Sequence, residues 1–233
     1  MTNTVNGAAV QQPTIKKKSR AGEIWRRFRK NKLAVFGMIL FALILLVAIF
    51  ADAIVNYSVA TTQVAADRLL SPNAEHWFGT DNYGRDLFAR IVHGSRNSLL
   101  VGFGSVAIGV VLGGLLGAVC GYVGGRFDAI MMRVLDSIMC IPSMMMALAI
   151  VAALGSSLVN VLLAMTISNV PWYCRIIRSS VLGVTGQTYI EAARSCGTSD
   201  FQIIMTHVLP NAMGPIIVQA TMGIGGAIIS AAG

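Results

Sequence analysis

What most limits this chain is a series of long apolar runs, the clearest at residues 33–51. A helix rises about 1.5 Å per residue, so about 20 residues cross the roughly 30 Å hydrocarbon core of a bilayer. Lipid offers a bare backbone no hydrogen bonds, so a span must be a helix or a closed barrel. Barrel strands alternate apolar and polar residues, whereas these runs are continuous, which selects helices. Composition agrees: 12% of the 233 residues are charged, about half the share found in a soluble domain. The expected fold class is all-α, a polytopic transmembrane helical bundle.

The runs divide the chain into a basic tail (1–32), a first transmembrane helix (33–55), a polar segment (56–98) and a transmembrane core (99–233) that includes a polar loop at 186–208. Within the core, spans are expected at 99–122, within 128–154, at 157–172 and at 211–233. A cleavable leader ending near Ala51-Asp52-Ala53 is the alternative for the first run. That run is longer than a leader's apolar region, and more spans follow it. Basic residues orient the bundle by the positive-inside rule. Lys16, Lys17, Lys18, Arg20, Arg26, Arg27, Arg29, Lys30 and Lys32 precede the first span. Arg126 and Arg133 lie in or beside the next connection on that side, and Arg175, Arg178 and Arg194 in the one after. Arg68, Arg85, Arg90 and Arg96 fall on the other side, offset by Asp67, Glu75, Asp81 and Asp86. The N-terminus is therefore expected in the cytoplasm, with segment 56–98 outside and the loop around Glu191 inside. The basic tail also attracts anionic membrane lipid; beside a span it needs no nucleic acid to explain it. The last run stops at Gly233 without a basic flank, and the expectation is that a longer form adds one more span.

Gly109, Gly113, Gly117, Gly121 and Gly125 recur every four residues and are expected to share one helix face for close packing. That face could be a static contact or a surface on which helices slide. Pro142 should bend its helix, and Met144, Met145 and Met146 after it suit either an adaptable cavity wall or a lipid-facing surface. Asp136 could pair with Arg133, three residues earlier. His76, His93 and His207 are scattered without a catalytic or metal pattern. Cys120, Cys140, Cys174 and Cys196 show no paired spacing and read as small core residues. No cofactor or metal is called for. The last lysine is Lys32, so no G-x-x-x-x-G-K-[ST] phosphate loop can lie downstream of it.

The polar loop is the most telling segment. Thr188 and Glu191 have the spacing of a capping box, as do Ser199 and Gln202. Gly197 can close the first of these helices in a left-handed conformation, and Pro210 falls where the next helix should begin. Two short capped helices around a glycine are expected. Ala192 and Ala193 would give them a slim surface that seats in another protein's groove.

Glu191, Ala192, Ala193, Gly197, Leu209 and Pro210 carry the spacing of the EAA loop, and the chain resembles the permeases of ABC importers. The general pattern has an apolar residue where this chain has His207. Residues 76–86, with Arg90, 94–99, the stretch 25–32 and the segment 189–211, are similar to the dipeptide/oligopeptide/nickel subfamily. The resemblance implies a bacterial cytoplasmic (inner) membrane subunit that forms half of a translocation pathway and is not itself an enzyme. It also implies a second homologous permease, two cytoplasmic ATP-binding subunits docked on the EAA loop and an extracytoplasmic substrate-binding protein. Di- or oligopeptides are the expected cargo, with nickel or another small solute as the alternative. An ion-coupled carrier is disfavoured because no span has a charge at its centre. A membrane enzyme is disfavoured by the absence of a catalytic cluster, and a non-transporting scaffold is the remaining rival.

The orientation is testable. With single cysteines introduced in a cysteine-free background, an impermeant thiol reagent on intact cells should label Asn73→Cys and not Thr185→Cys. The reverse pattern would invert the topology.

Overall fold

The computed structural model describes residues 20–232; Lys16, Lys17, Lys18 and Gly233 lie outside the described residues. The chain divides after Phe50 into two compact units. In the first, α1 (Arg20–Lys30) is amphipathic and places Arg27, Arg29 and Lys30 at its C-terminal end, where cations complement the exposed carbonyls. Trp25 and Phe28 stack at 5.8 Å on this helix. Asn31 separates it from α2 (Lys32–Ile49) and caps α2, accepting a bond from the Ala34 N–H at 3.2 Å. Apolar residues surround α2: Phe36, Ile39, Leu43 and Leu46 are all exposed, the pattern of a helix solvated by lipid.

The second unit begins with α3 (Ala51–Ile54) and α4 (Tyr57–Thr61), then an irregular loop. Next comes α5 (Leu87–Val123), a 37-residue helix that starts well before the span expected at residue 99. The Asp86 side chain caps it, accepting from the Ala89 N–H at 2.7 Å. Arg90, His93 and Arg96 made this first part read as loop, yet they have partners. His93 Nε2 bonds the Val55 carbonyl at 2.8 Å, and Arg96 reaches Asp52 at 2.7 Å. After α5 come α6 (Gly125–Met139) and α7 (Ser143–Leu154), bent by 79° at the break between them that holds Pro142. Pro142 thus ends one helix and caps the next instead of kinking one continuous helix.

The following helix, α8 (Leu158–Thr185), carries Pro171 in its interior and runs past Trp172, where a span was expected to end. Beyond it are α9 (Thr188–Ser195), α10 (Asp200–Ile203), a five-residue π turn (Ile204–Val208) and α11 (Leu209–Ala232). Among the described residues the only β-pairing is an isolated bridge between Thr80 and Asp86.

The core is the seam between α5 and α8. Gly104 faces Leu162, Gly109 faces Asn169 and Tyr173, and Gly121 faces Arg178 and Val181. Both numbers rise together, so the helices run parallel. A Cβ added at Gly113 would lie 2.6 Å from the Val170 carbonyl oxygen and 2.9 Å from the Cys174 nitrogen. At Gly117 it would collide with the Cys174 carbonyl. Backbone touches backbone there. Gly125 is the exception to the expected stripe: nothing lies within 4 Å of an added Cβ, and its φ of +63° makes it a turn residue beside Gly124. Cys120 and Cys174 are buried, as expected of small core residues, whereas Cys140 and Cys196 are exposed, the latter because it caps α9.

By length and apolarity, α2, α5 and the run Asp200–Ala231 can each cross a membrane, and the bent α6–α7 pair can make a fourth span. The parallel seam decides how that pair is counted. For α8 to start beside Gly104 and run with α5, residues between them must return the length of the bundle, so α6–α7 crosses it. The same register makes α8 a span although Asn160, Asn169, Arg175 and Arg178 leave it less apolar than its neighbours. α11 packs antiparallel to α5, with Ile228 beside Gly102 and Gly223 beside Val106.

Gly113→Val should force the seam apart at a point where only backbone could yield. The expected cost is about 1–3 kcal/mol, or a Tm lower by a few degrees in detergent. Gly94→Val, with open space around it, should change Tm far less.

Candidate functional site

The loop between α8 and α11 folds as two short helices around an elbow. Glycine at 197 is required there. Its φ is +77°, its N–H bonds the Arg194 carbonyl at 2.9 Å, and the Thr198 N–H bonds the Ala193 carbonyl at 3.2 Å. This is a Schellman closure. Ser199 then caps α10, accepting from the Gln202 N–H at 3.4 Å. The first expected capping box does not form. Gln187 occupies the cap position without a side-chain bond, Thr188 is already helical, and Glu191 falls one residue beyond the box. An Ile190 N–H to Gln187 carbonyl bond at 2.9 Å and the complete burial of Ile190 start α9 instead.

Ile190, Ile203 and Val208 are fully buried in the same core as Tyr122, Ile177 and Val181. The loop is therefore part of the bundle and not a tether. Glu191 and Ala192 face solvent, but Ala193 packs against that core, so the expected slim surface consists of Ala192 without its neighbour. Tyr189 and Phe201 are exposed beside it, the latter at 73%. Leu209 packs on the core. Pro210 is the second residue of α11, near a helix start as expected, but Asp200–Ala231 is one helical path, and the π turn Ile204–Val208 lies just upstream of the proline. A proline in a continuous α-helix loses a bond and strikes the carbonyl four residues back. The wider turn, closed by the Leu209 N–H to Ile204 carbonyl bond, relaxes that crowding.

Two polar clusters lock this end of the bundle, and neither was visible in the sequence. Tyr122, at the end of α5, donates to the Asp200 carboxylate at 2.5 Å and accepts from Arg194 Nε at 3.1 Å. The Arg194 guanidinium also lies 4.7 Å above the Tyr122 ring, a cation–π contact. One side chain of α5 thus holds both short helices of the loop. In the second cluster Arg178 forks onto Asp128 with two bonds of 2.5 Å, tying α8 to α6. Asp136 pairs with Arg175 of α8 and not with Arg133, because α8 lies against the face of α6 that Asp136 occupies.

At the opposite end, residues 76–86 form a compact knot. The Asp81 carboxylate accepts from the Tyr83 and Arg85 N–H groups and from Arg85 Nε at 2.8–3.0 Å, and Arg90 also binds it. Burial pushes its pKa up, but the Arg85 and Tyr83 hydrogen bonds and the Arg85 charge outweigh that and hold it well below the usual carboxylate range. Asp86 caps α5 with one oxygen and meets His76 Nδ1 at 2.8 Å with the other.

Between α7, α8 and α11 lies a cavity of about 690 Å³. Met144, Leu148, Val151, Met165 and Met222 give it apolar walls, and Asn169, Tyr173 and Gln219 add polar groups. Among the described residues no charged one lines it. Met144 is therefore a wall residue, whereas Met145 and Met146 are not among the cavity's lining residues.

A bundle with a loop folded into its core is compatible with several membrane proteins, and sequence comparison separates them. Residues 109–233 match the family of binding-protein-dependent transport system inner membrane components. Residues 19–72 match the N-terminal transmembrane domain of oligopeptide transport permease C. The chain belongs to this permease family. The dipeptide transport system permease protein DppC of Alkalihalophilus pseudofirmus is 46% identical over 210 residues, 90% of this chain and 69% of that protein. The probable D,D-dipeptide transport system permease protein DdpC of Escherichia coli is 43% identical, over 90% of this chain and 70% of its own length. The glutathione transport system permease protein GsiD of Shigella sonnei is 42% identical, over 90% and 69%. This chain is a multi-pass inner-membrane permease subunit of the ABC importer class, and its work is transport.

Tyr122→Phe keeps the ring under Arg194 but removes the hydroxyl shared with Asp200. About 1 kcal/mol of local stability should be lost. Amide exchange across residues 188–203 should quicken roughly fivefold while exchange along the α5–α8 seam stays unchanged.

Proposed function

We propose that this permease subunit imports short peptides and takes its driving work through the elbow at residues 188–203, which docks on a separate ATPase. The carrying observation is that one face of the elbow is sunk in the bundle core while Tyr189, Glu191, Ala192 and Phe201 project from it. An element built into the core on one side and free on the other can pass a push from a partner into α5, α8 and α11. Peptide cargo is supported by the dipeptide and glutathione permeases to which the chain is similar.

ATP hydrolysis belongs to two cytoplasmic partner subunits, a reading supported by the binding-protein-dependent permease family that the chain matches. A second homologous permease completes the pathway, and an extracytoplasmic binding protein delivers the peptide on the side of residues 56–98. The N-terminus is cytoplasmic, on the strength of the basic residues flanking the spans on that side. The glycine faces of α5 serve as helix-packing surfaces, and Glu191, Ala192, Gly197 and their neighbours serve as the docking element.

Gly197→Val tests the coupling. Space around Gly197 is open, so the substitution acts through its φ of +77°, which a β-branched residue resists strongly. The variant should insert normally and lose ATP-driven peptide uptake. Uptake and transport-linked ATP hydrolysis at wild-type rates would defeat the docking assignment.

A further inference from the structure

The cavity between α7, α8 and α11 contains polar groups that the fold does not use. Tyr173 is 2% exposed, yet its hydroxyl has no hydrogen-bond partner among the described residues, and its side chain lines the cavity. A Cβ added at Gly223 would collide with that hydroxyl; the glycine leaves the oxygen room. Asn169 and Gln219 line the same space, and their side-chain amides also lack partners among the described residues. Asn169 and Gln219 are half-buried, and no side-chain nitrogen or oxygen is sealed away without a partner among the described residues, so these three polar groups open onto the cavity and are free to bond what enters it.

We propose that Tyr173, Asn169 and Gln219 form a charge-free subsite that holds the peptide-bond amide of a short peptide as it passes. The subsite rests on the peptide-importer reading and goes beyond it by naming what is recognised. A peptide bond offers one donor and one acceptor, and a side-chain amide or a phenol can satisfy either. The volume, about 690 Å³, lies within the range of small-molecule sites. The methionine walls adapt to different side chains, so the constant backbone is read while the variable parts are tolerated.

The absence of charge in the lining sets the class of cargo. Among the described residues no carboxylate, imidazole or thiolate lines the cavity, and no group of three or more of them could hold a metal ion; the methionine thioethers that do line it are soft ligands that suit Cu(I), not the harder divalent cations. A passage must also let go of what it binds. Neutral hydrogen bonds hold an amide weakly enough for release, where a fixed buried charge would trap a peptide terminus.

The test uses proteoliposomes holding this permease subunit with its partner permease, ATPases and binding protein. Uptake of alanyl-alanine is compared with uptake of its ester analogue, which lacks the peptide N–H. One binding protein serves every variant, so any change in the amide-to-ester ratio belongs to the permease. In Asn169→Leu, Gln219→Leu and Tyr173→Phe the ratio should fall toward one, by about fivefold where the lost bond is the one to the amide. Gly223→Ala, which displaces the hydroxyl without removing it, should lower the ratio as well. Peptide uptake with an unchanged ratio in all four variants overturns the subsite and leaves the peptide-importer reading standing, as does an equal loss of both substrates. Failure of the wild-type transporter to take up alanyl-alanine overturns both.

Discussion

The close approach of α5 and α8 governs the rest of the structure. Two apolar helices in lipid gain little from hiding apolar surface from one another, since the lipid is equally apolar; they associate through packing at short range. Gly113 and Gly117 allow that packing by bringing the α5 backbone against Val170, Cys174 and Arg178 of α8. Once the two run parallel, α6 and α7 must cross back between their ends, and the wall that α7 and α8 share with α11 becomes the lining of the cavity. The seam also sets Arg175 and Arg178 opposite Asp136 and Asp128, so the ion pairs follow from the glycine contact and do not create it.

The loop at residues 188–203 inherits its stiffness from this seam. Tyr122 stands at the end of α5 and holds α9 and α10 together through Arg194 and Asp200, while Ile190 and Ile203 fill the core below. Removing the polar contact should free the loop; removing the apolar contact should unfold it. These are separable effects because the hydroxyl supplies direction and the isoleucines supply most of the buried area.

Much of this arrangement could be read from the residues. Apolar run length announced the spans, the four-residue glycine spacing announced the α5 face, and Ser199 and Gly197 announced the ends of two short helices. Other features depended on distance in sequence. Thr188 had the right spacing for a cap, but burial of Ile190 shifted the helix start by one residue. Asp136 lay near Arg133 in sequence and nearer Arg175 in space. Gly125 continued the glycine repeat yet belongs to a turn, because a repeat cannot say where its helix ends. The first turns of α5 were hidden by polar residues whose partners lie far back in the sequence, Arg90 on Asp81, His93 on Val55 and Arg96 on Asp52, and the cavity lining joins residues 143 to 231, which no local pattern could unite.

The length of α5 has a mechanical consequence. Its 37 residues make a continuous rod of roughly 55 Å, longer than the bilayer is thick, with the Tyr122 clasp at one end and the Asp81 knot at the other. Bound along the seam to α8, it cannot bend there without breaking backbone contacts, so it must pivot. A rotation of about 15°, the scale of known subunit switches, would carry one end of such a rod about 14 Å relative to the other. A displacement at the clasp therefore arrives at the knot as a lever stroke of comparable size, with the thickness of the membrane serving as the arm.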